Sequence, residues 1–367
     1  MSDQSGSSLK SKIIPLWVGG IGGMEKELVR RAGFPYEEIP AAGLHGVGWK
    51  RIPGNLYQLG QGILAARTIL SSFQPDVIFF TGGFLAFPVA VAARTMRWKQ
   101  GRPRHLLYVP DIEPALALKV IARFADHIAV TTETTRQYYP KKKDIIVSGY
   151  PTRLEHQKWV SNSNRKEEAC QLFGLDSQNP IILVFGGSKG ARSINNAVLA
   201  NLMELLNVAQ IVHITGNLDW EVVQKKIHTL KEHDPSGLLN RYHAYPYLHE
   251  EMSAALAAAD LTICRAGASV LGELPLFGLP AILVPYPHAW RYQQVNAEYL
   301  AQHQAALIMD DHHLTDQLLP RVSELIFHTE KLEAMRQAMK RLAKPDAAHT
   351  IAQCILELGT HRGGVND

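Results

Sequence analysis

The sequence predicts an α/β protein with two Rossmann-like, doubly wound domains. Short apolar runs alternate with longer amphipathic runs along the 367 residues, which is typical of parallel sheets covered by helices on both faces. The apolar runs Val77–Phe80 and Ile181–Phe185 both lead into paired glycines, so the two halves of the chain resemble each other. In such folds ligands bind near the carboxyl ends of the strands.

The individual elements follow from hydrophobic periodicity and from the glycines and prolines between the runs. The predicted strands are Ile14–Val18, Val77–Phe80, Leu106–Val109, Ile128–Val130, Ile145–Val147, Ile181–Phe185, Ala209–Ile214, Leu261–Cys264 and Ala281–Val284. The predicted helices include Glu25–Ala32, Gly60–Ser72, Leu116–Phe124 and Asn195–Leu206. Two further helices, separated by Pro345, are predicted at the end of the chain.

A polar stretch at 161–168, just after Pro151, carries no strand signal and indicates a domain boundary. We therefore expect an N-terminal domain over residues 1–155 and a C-terminal domain over 156–335. Helices over 336–367 are expected to return to the first domain.

Composition narrows the classes of function. Hydrophobic residues make up 46% of the chain and charged residues 20%, which is typical of a globular protein. The net charge of +4 suits phosphorylated ligands or anionic lipid but is too weak to indicate nucleic acid. The three scattered cysteines favour a reducing compartment. The first residues lack the apolar segment of a signal peptide, and no run approaches the roughly 20 apolar residues of a membrane span.

The segment Ile181–Arg192, IILVFGGSKGAR, is the most informative in the chain. A buried strand stops at paired glycines, Ser188 and another glycine, and a helical pattern then begins. Glycines at such a turn let backbone amides approach a ligand, and the following helix directs its positive end there. This arrangement is suited to a diphosphate.

Two further strand–loop–helix junctions follow. The first, CRAGASVLGE over 264–273, again offers amides at the start of a helix, and Glu273 could accept hydrogen bonds from vicinal sugar hydroxyls. Glu273 could equally be a first-turn acid favoured by the helix dipole. The second, over 284–297, carries Gln293 and Asn296, whose amides suit sugar hydroxyls but could also be ordinary caps.

The order of FGGSKGAR, CRAGASVLGE, GLPAILVPYPH and QQVNA resembles the MurG group of glycosyltransferases, and similarity extends from about Ile14 to about Leu342. That family transfers N-acetylglucosamine, with inversion, from UDP-N-acetylglucosamine to undecaprenyl-pyrophosphoryl-MurNAc-pentapeptide, the lipid I to lipid II step of peptidoglycan synthesis. The resemblance implies the GT-B arrangement, in which two Rossmann-like domains face each other across a cleft. It also implies a bacterial, cytoplasmic enzyme peripheral on the inner face of the cell membrane.

The resemblance assigns roles to residues of this chain. Donor-binding residues would be Arg153, Gly187, Ser188, Leu248, Arg265, Gly267, Ala268, Ser269, Glu273, Gln293 and Asn296. Glu273 would bind the ribose hydroxyls, Leu248 would lie near the uracil, and Gln293 would hold the transferred sugar. The family uses no metal, so amides, a helix dipole and Arg153 or Arg265 would stabilise the departing UDP. The Asp310-Asp311-His312-His313 run is expected to be an exposed polar loop.

The chain departs from the family pattern on the acceptor side. The first strand–loop–helix unit, with its Gly-Gly-Thr-Gly-Gly-His loop, is predicted to be missing. Tyr108-Val109-Pro110-Asp111 replaces the family's His-Glu-Gln-Asn. An inverting transfer needs a base near the acceptor hydroxyl. Asp111 is the better candidate and Glu113 the second, although Asp111 could instead only cap the helix that follows.

A basic, aromatic patch could dock on anionic lipid headgroups, or it could be a solvated helix end. We call it the basic patch, and it comprises Arg94, Met96, Arg97, Trp98, Lys99, Arg102 and Arg104. Because the acceptor-side motifs differ, two alternatives to the leading function stay open. One is a UDP-sugar glycosyltransferase with another lipid or glycan acceptor, and the other is a catalytically impaired UDP-sugar-binding protein.

Overall fold

A computed structural model of the chain describes residues 13–23, 25–40, 52–83, 85–98, 101–187, 190–232, 234–287 and 291–360. Backbone packing divides the chain into two compact units. The first is drawn from residues 1–107, 120–125 and 358–367, and the second from 108–119 and 126–357. The predicted domain limits at residues 155 and 335 do not coincide with the limits of these two units, and they stay a prediction.

Parallel strands and flanking helices make up the N-terminal part of the chain. The elements are β1 (Trp17–Gly20), α1 (Glu25–Arg31), β2 (Tyr36–Ile39), α2 (Ile52–Phe73), β3 (Val77–Phe80), α3 (Ala86–Thr95), β4 (Arg104–Val109), α4 (Leu116–Ile121), β5 (His127–Val130) and β6 (Asp144–Val147). A two-stranded sheet pairs β1 with β2, and a four-stranded sheet holds β3, β4, β5 and β6 in chain order. Strands β1 and β2, β3 and β4, and β5 and β6 pair in parallel.

A six-stranded parallel sheet organises the rest of the second unit. Its strands are β7 (Ile181–Phe185), β8 (Gln210–Ile214), β9 (Tyr242–Tyr245), β10 (Leu261–Cys264), β11 (Ala281–Leu283) and β12 (Ala306–Ile308), in the order β12-β11-β10-β7-β8-β9. Cys264 of β10 lies opposite Phe185 of β7, and Phe185 lies opposite Ile214 of β8. The carboxyl ends of these three strands therefore meet at one edge of the sheet.

Helices surround this sheet. They are α5 (Leu154–Ser161), α6 (Arg165–Phe173), α7 (Arg192–Ala200), α8 (Leu202–Val208), α9 (Trp220–Lys231), α10 (Met252–Ala258), α11 (Val270–Phe277), α12 (Tyr292–Gln302), α13 (Leu314–Phe327), α14 (Thr329–Arg341) and α15 (Ala347–Thr360). Short 3-10 helices span Glu133–Tyr138, Leu238–Arg241 and Asp311–His313.

The side chains of β7 show why the sheet is covered on both faces. Ile181, Leu183 and Phe185 pack into one hydrophobic cluster, whereas Ile182 and Val184 pack into another. Successive side chains of a strand point to opposite faces, so an uninterrupted apolar strand needs apolar partners on both sides. The predicted doubly wound architecture is thus confirmed.

All nine predicted strands exist, with bounds shifted by up to three residues, but three strands were missed: β2, β9 and β12. The predicted helix Asn195–Leu206 was wrong as a single element, because the chain breaks between α7 and α8 at Asn201, where φ is −108° and ψ is 17°. Helix α2 begins at Ile52, eight residues before the predicted start at Gly60.

Candidate functional site

The glycine-rich turn between β7 and α7 has a conformation that only glycine adopts easily. Gly187 has φ of 88° and Gly190 has φ of 78°. A Cβ atom on Gly190 would collide with the carbonyl oxygen of Thr215, and one on Gly186 would collide with the backbone of Ala191. The turn is closed by Gly190 N, which donates to Gly187 O over 3.0 Å. Ser188 lies outside the described residues.

The second junction, between β10 and α11, presents backbone amides. The carbonyls of Gly267 and Ala268 accept from Val270 N at 3.2 Å and Leu271 N at 3.1 Å, which starts the helix. Within the described part of the chain, the amides of Gly267, Ala268 and Ser269 donate to no other group. Such amides at a helix start can bind an anion.

A cavity of about 150 Å³ lies where these junctions meet within the second unit. It is lined by Arg153, Phe185, Gly187, Ile214, Tyr247, Leu248, Met252, Ser269 and Glu273. Five of the residues predicted to bind a donor are therefore brought together, although they come from positions 153 to 273 of the sequence. They supply a cation, backbone amides, an apolar wall and a carboxylate.

Glu273 contacts a residue that the sequence analysis did not single out. Its Oε1 lies 3.3 Å from Nε2 of His156, and Nδ1 of His156 lies 2.7 Å from Oγ of Ser253. His156 is fully buried on α5, which begins directly after Arg153. A histidine inside a short amphipathic helix gives no signal in a single sequence, because its partners are far away in the chain.

Asn296 is fully buried, and both polar atoms of its amide are hydrogen-bonded within the protein. Its Nδ2 donates to Asp111 Oδ1 at 2.8 Å and to Ala266 O at 3.1 Å, while its Oδ1 accepts from Ile112 N at 3.1 Å. The side chain predicted to bind sugar hydroxyls instead fixes the segment around Asp111 to the loop after β10. Burial raises the pKa of the Asp111 carboxyl, and the bond from Asn296 opposes part of that rise.

Glu113, the second predicted base, is engaged by two cations. Arg291 Nε lies 3.0 Å from one carboxylate oxygen, and Lys119 Nζ lies 3.5 Å from the other. Gln293 is also used locally, since its Oε1 accepts from Tyr286 N at 2.9 Å. This contact fixes the loop after β11.

Arg265 connects three segments at the carboxyl edge of the six-stranded sheet by hydrogen bonds. Its guanidinium donates to Val284 O at 3.1 Å, to Ser193 Oγ at 2.7 Å and to the carboxylate of Asp311. It does not line the cavity, whereas Arg153 does. The expectation that 310–313 is merely an exposed loop was wrong for Asp311, because a buried arginine needs a charged partner.

Beneath the glycine turn, His213 joins a buried polar network. Its ring nitrogens lie 2.7 Å from the Tyr242 hydroxyl and 3.0 Å from Asn195 Oδ1, and Asn195 donates to Asp219 and to Thr215 O. Burial lowers the pKa of His213 to about 3. The network ties α7 to the turn after β8.

In the first unit, the described members of the basic patch differ in accessibility. Arg94, Arg97 and Arg104 are exposed, whereas Met96, Trp98 and Arg102 are half-buried. Trp98 Nε1 donates to Ala93 O over 2.9 Å, so its indole is fixed against the end of α3. Lys99 lies outside the described residues.

Two features are absent from the described residues. No cluster of three or more histidine, cysteine, aspartate or glutamate side chains is suited to a metal ion there. None of the helices described combines the length and the apolar character that crossing a bilayer requires.

Comparison with known proteins identifies the family. Residues 8–102 match the glycosyltransferase family 28 N-terminal domain, and residues 181–351 match the glycosyltransferase family 28 C-terminal domain. A UDP-N-acetylglucosamine–N-acetylmuramyl-(pentapeptide) pyrophosphoryl-undecaprenol N-acetylglucosamine transferase of Roseiflexus sp. (strain RS-1) is 36% identical, over 92% of this chain and 82% of its own length. The protein of the same name from Desulforamulus reducens is 34% identical, over 94% of this chain and 90% of its own length.

A solved structure shows the same fold. The crystal structure of Acinetobacter baumannii MurG superposes with a TM-score of 0.70 at 22% identity, covering 93% of this chain and 90% of that one. Together with the two parallel-sheet regions, this likeness confirms the GT-B fold. The chain thus belongs to glycosyltransferase family 28 and, within it, to the MurG family of N-acetylglucosamine transferases.

Proposed function

We propose that this protein transfers N-acetylglucosamine from UDP-N-acetylglucosamine to a polyprenyl-pyrophosphoryl-MurNAc-pentapeptide, with inversion at the sugar. Members of its family carry that substrate pair in their names, at 34–36% identity for the two relatives described. The observation that carries the proposal is the cavity at the ends of β7 and β10, which gathers Arg153, Gly187, Leu248, Ser269 and Glu273.

Each wall of the cavity suits one part of a UDP-sugar. Ser269 lines the cavity, and its amide and those of Gly267 and Ala268 beside it donate to no group among the described residues. These preorganised donors at the start of α11 suit the diphosphate. Glu273 is an acceptor for the ribose hydroxyls, and buried Leu248 supplies an apolar surface beside the base. We propose that these groups act without a metal or other cofactor, with Arg153 supplying positive charge as UDP departs.

In the proposed reaction the acceptor oxygen forms a bond to the anomeric carbon while the bond from that carbon to UDP breaks. The acceptor proton must pass to a base. We propose Asp111 for this role, because burial raises the pKa of its carboxyl and makes its ionised form a stronger base. Glu113 suits it less, since Arg291 and Lys119 already neutralise its charge.

We further propose that the protein acts in the bacterial cytoplasm, bound peripherally to the inner face of the cell membrane. Leu56, Tyr57 and Leu64 on α2 are 52%, 68% and 66% exposed and fall within one side of the helix. Exposed Arg94 and Arg97 on the same unit suit anionic headgroups. The test is co-flotation of the protein with vesicles. If the bound fraction changes neither with the anionic lipid content nor with Leu64→Glu, membrane docking is contradicted.

The test is UDP release from UDP-N-acetylglucosamine with and without a lipid I analogue. We expect acceptor-dependent release by the unchanged protein and a loss of roughly 10- to 100-fold in UDP affinity for Glu273→Gln, since a charged hydrogen-bond acceptor is removed. Glu221→Gln, an exposed acid on α9, is the matched control and should change neither quantity.

The outcomes separate the alternatives. UDP binding without release in the presence of the lipid I analogue would contradict the proposed acceptor. Release with another lipid or glycan would identify a related transferase, and no release with any acceptor would leave a UDP-sugar-binding protein. Failure to bind UDP would contradict the proposal as a whole.

A further inference from the structure

A single buried imidazole connects three elements around the cavity. His156 belongs to α5, directly after the cavity residue Arg153, and it contacts Ser253 of α10 and Glu273 of α11. Its side chain is fully buried and packs edge-on against Phe277 with ring centroids 5.6 Å apart. Because the ring is held from all these sides, its nitrogen atoms have fixed positions relative to the cavity.

The hydrogen-bond directions follow from the chemistry of the partners. An ionised carboxylate can only accept, so Nε2 of His156 carries a hydrogen and donates to Oε1 of Glu273. In the neutral ring Nδ1 then accepts, and the Ser253 hydroxyl donates to it over 2.7 Å. His156 is fully buried and Ser253 is 1% exposed, so water does not compete for the bond between them.

The hydrogen bonds from Ser253 to His156 and from His156 to Glu273 therefore hold one oxygen of the Glu273 carboxylate in place. Glu273 also lines the cavity, with 17% of its side chain exposed. A carboxylate on a flexible side chain loses rotamer entropy when it binds a ligand, and a carboxylate already fixed by a neighbour loses less. The bond from His156 thus prepares Glu273 to accept hydrogen bonds from a ligand.

We propose that His156 is a positioning residue that fixes Glu273 for a vicinal diol and so sets the preference of this site for ribonucleoside diphosphates over analogues without ribose hydroxyls. The proposal rests on the proposed function in that the ligand is taken to be a uridine diphosphate. It adds a residue, a hydrogen-bond direction and a specificity to that site.

Two conservative variants separate positioning from mere packing. In His156→Gln the amide nitrogen can take the place of Nε2 and still donate to Glu273. In His156→Asn the shorter amide can take the place of Nδ1 on the Ser253 side and leaves Glu273 without its donor. Both variants are polar and smaller than histidine, so a simple packing role predicts similar effects for the two.

The measurement is the dissociation constant of UDP and of 2′,3′-dideoxy-UDP by titration calorimetry. We expect the unchanged protein to prefer UDP by roughly 10- to 100-fold, because the dideoxy analogue leaves a charged acceptor unpaired. His156→Gln should keep that ratio within about 3-fold, whereas His156→Asn should reduce it to about 3-fold or less, as Glu273→Gln should. Thermal unfolding of each variant shows whether it is folded.

A ratio that His156→Asn leaves unchanged, or an equal loss of affinity for both ligands in both variants, would overturn the positioning role while leaving the proposed function in place. Failure of the unchanged protein to bind UDP would overturn both. Should His156→Asn not fold, Ser253→Ala tests the same contact, since it frees the imidazole without altering a group that lines the cavity. It should lower the ratio by about 2- to 5-fold, and an unchanged ratio would count against the proposal.

Discussion

The amide of Asn296 donates to the carboxylate of Asp111 over 2.8 Å, although 185 residues separate them in the sequence. The same amide group donates to Ala266 O, next to the cavity-lining loop, and its oxygen accepts from Ile112 N. One buried side chain therefore fixes the proposed base relative to the loop that we expect to bind the diphosphate.

Asp111→Asn should separate the catalytic cost of Asp111 from its effect on stability. Burial raises the pKa of this carboxyl above its unfolded value of 3.8, so the folded state keeps a proton that the unfolded state releases. The contribution of this carboxyl to stability is therefore present below pH 3.8 and is lost as pH rises through the raised pKa of the folded state. We expect Asp111→Asn to be more stable than the parent at pH 7 and similar below pH 3.8 in urea titrations.

Because Asp111 is the proposed base, its removal should also lower the turnover number. Its replacement by asparagine should lower turnover by about 10²- to 10⁴-fold with unchanged UDP affinity. Glu113→Gln, in the same loop, is the matched control and should lower turnover far less. Unchanged turnover in Asp111→Asn would remove the catalytic role and leave a structural one.

Gly187→Ala and Gly190→Ala form a matched pair in one turn. Both positions have positive φ, so either alanine costs about 1–2 kcal/mol of backbone strain. A Cβ on Gly187 meets nothing within 4 Å, whereas one on Gly190 collides with Thr215 O. We expect Gly190→Ala to lower the free energy of unfolding by at least about 2 kcal/mol more than Gly187→Ala, and equal losses would contradict the turn geometry.

The pair of Arg265 and Asp311 should behave as a buried ion pair. Their side chains are only 9% and 16% exposed. Arg265→Met leaves Asp311 uncompensated and should cost about 3–5 kcal/mol, while Arg265→Met combined with Asp311→Leu should cost less than the sum of the single changes. Arg321→Met, at an exposed pair with Glu324, should cost no more than about 1 kcal/mol. Additive losses in the double-mutant cycle would show that the two side chains are not coupled.

His213 should make the protein sensitive to acid. Burial lowers its pKa from 6.5 to about 3, so below pH 6.5 the unfolded state takes up a proton that the folded state does not. Stability should fall by up to about 1.4 kcal/mol for each pH unit from 6.5 down towards 3 because of this residue. His213→Gln should flatten that dependence, and exposed His228→Gln should not. An unchanged slope in His213→Gln would place the acid sensitivity elsewhere.

The central strands could be predicted from the sequence because both of their faces are buried, which requires continuous apolar runs such as Ile181–Phe185. The missed strands β9 and β12 are the two edges of the six-stranded sheet. Strand β9, Tyr242-His243-Ala244-Tyr245, contains polar residues, and β12 is apolar but only three residues long, so neither forms the longer apolar run that predicts a strand. Strand β2, in a two-stranded sheet, carries two glutamates.

The residues of the site likewise fall into those that the sequence predicted and those that it did not. The glycine blocks were readable because a positive φ or a close backbone approach restricts the residue type locally, as at Gly190. His156 was not readable, since its partners lie 97 and 117 residues along the chain. Arg265 looked like a phosphate-binding cation because its partner Asp311 lies 46 residues away, where no local pattern connects them.

The pairing of β7 with β10 has a consequence for how the protein is made. These two neighbours carry the two loops of the cavity, yet β8 and β9 are synthesised between them. A chain emerging from the ribosome therefore lacks a complete nucleotide pocket until Leu261–Cys264 and the start of α11 have been translated. Forming this contact also closes a long loop, which slows folding. Nucleotide can thus act as a ligand-dependent stabiliser only late in synthesis, after the middle of the sheet has assembled.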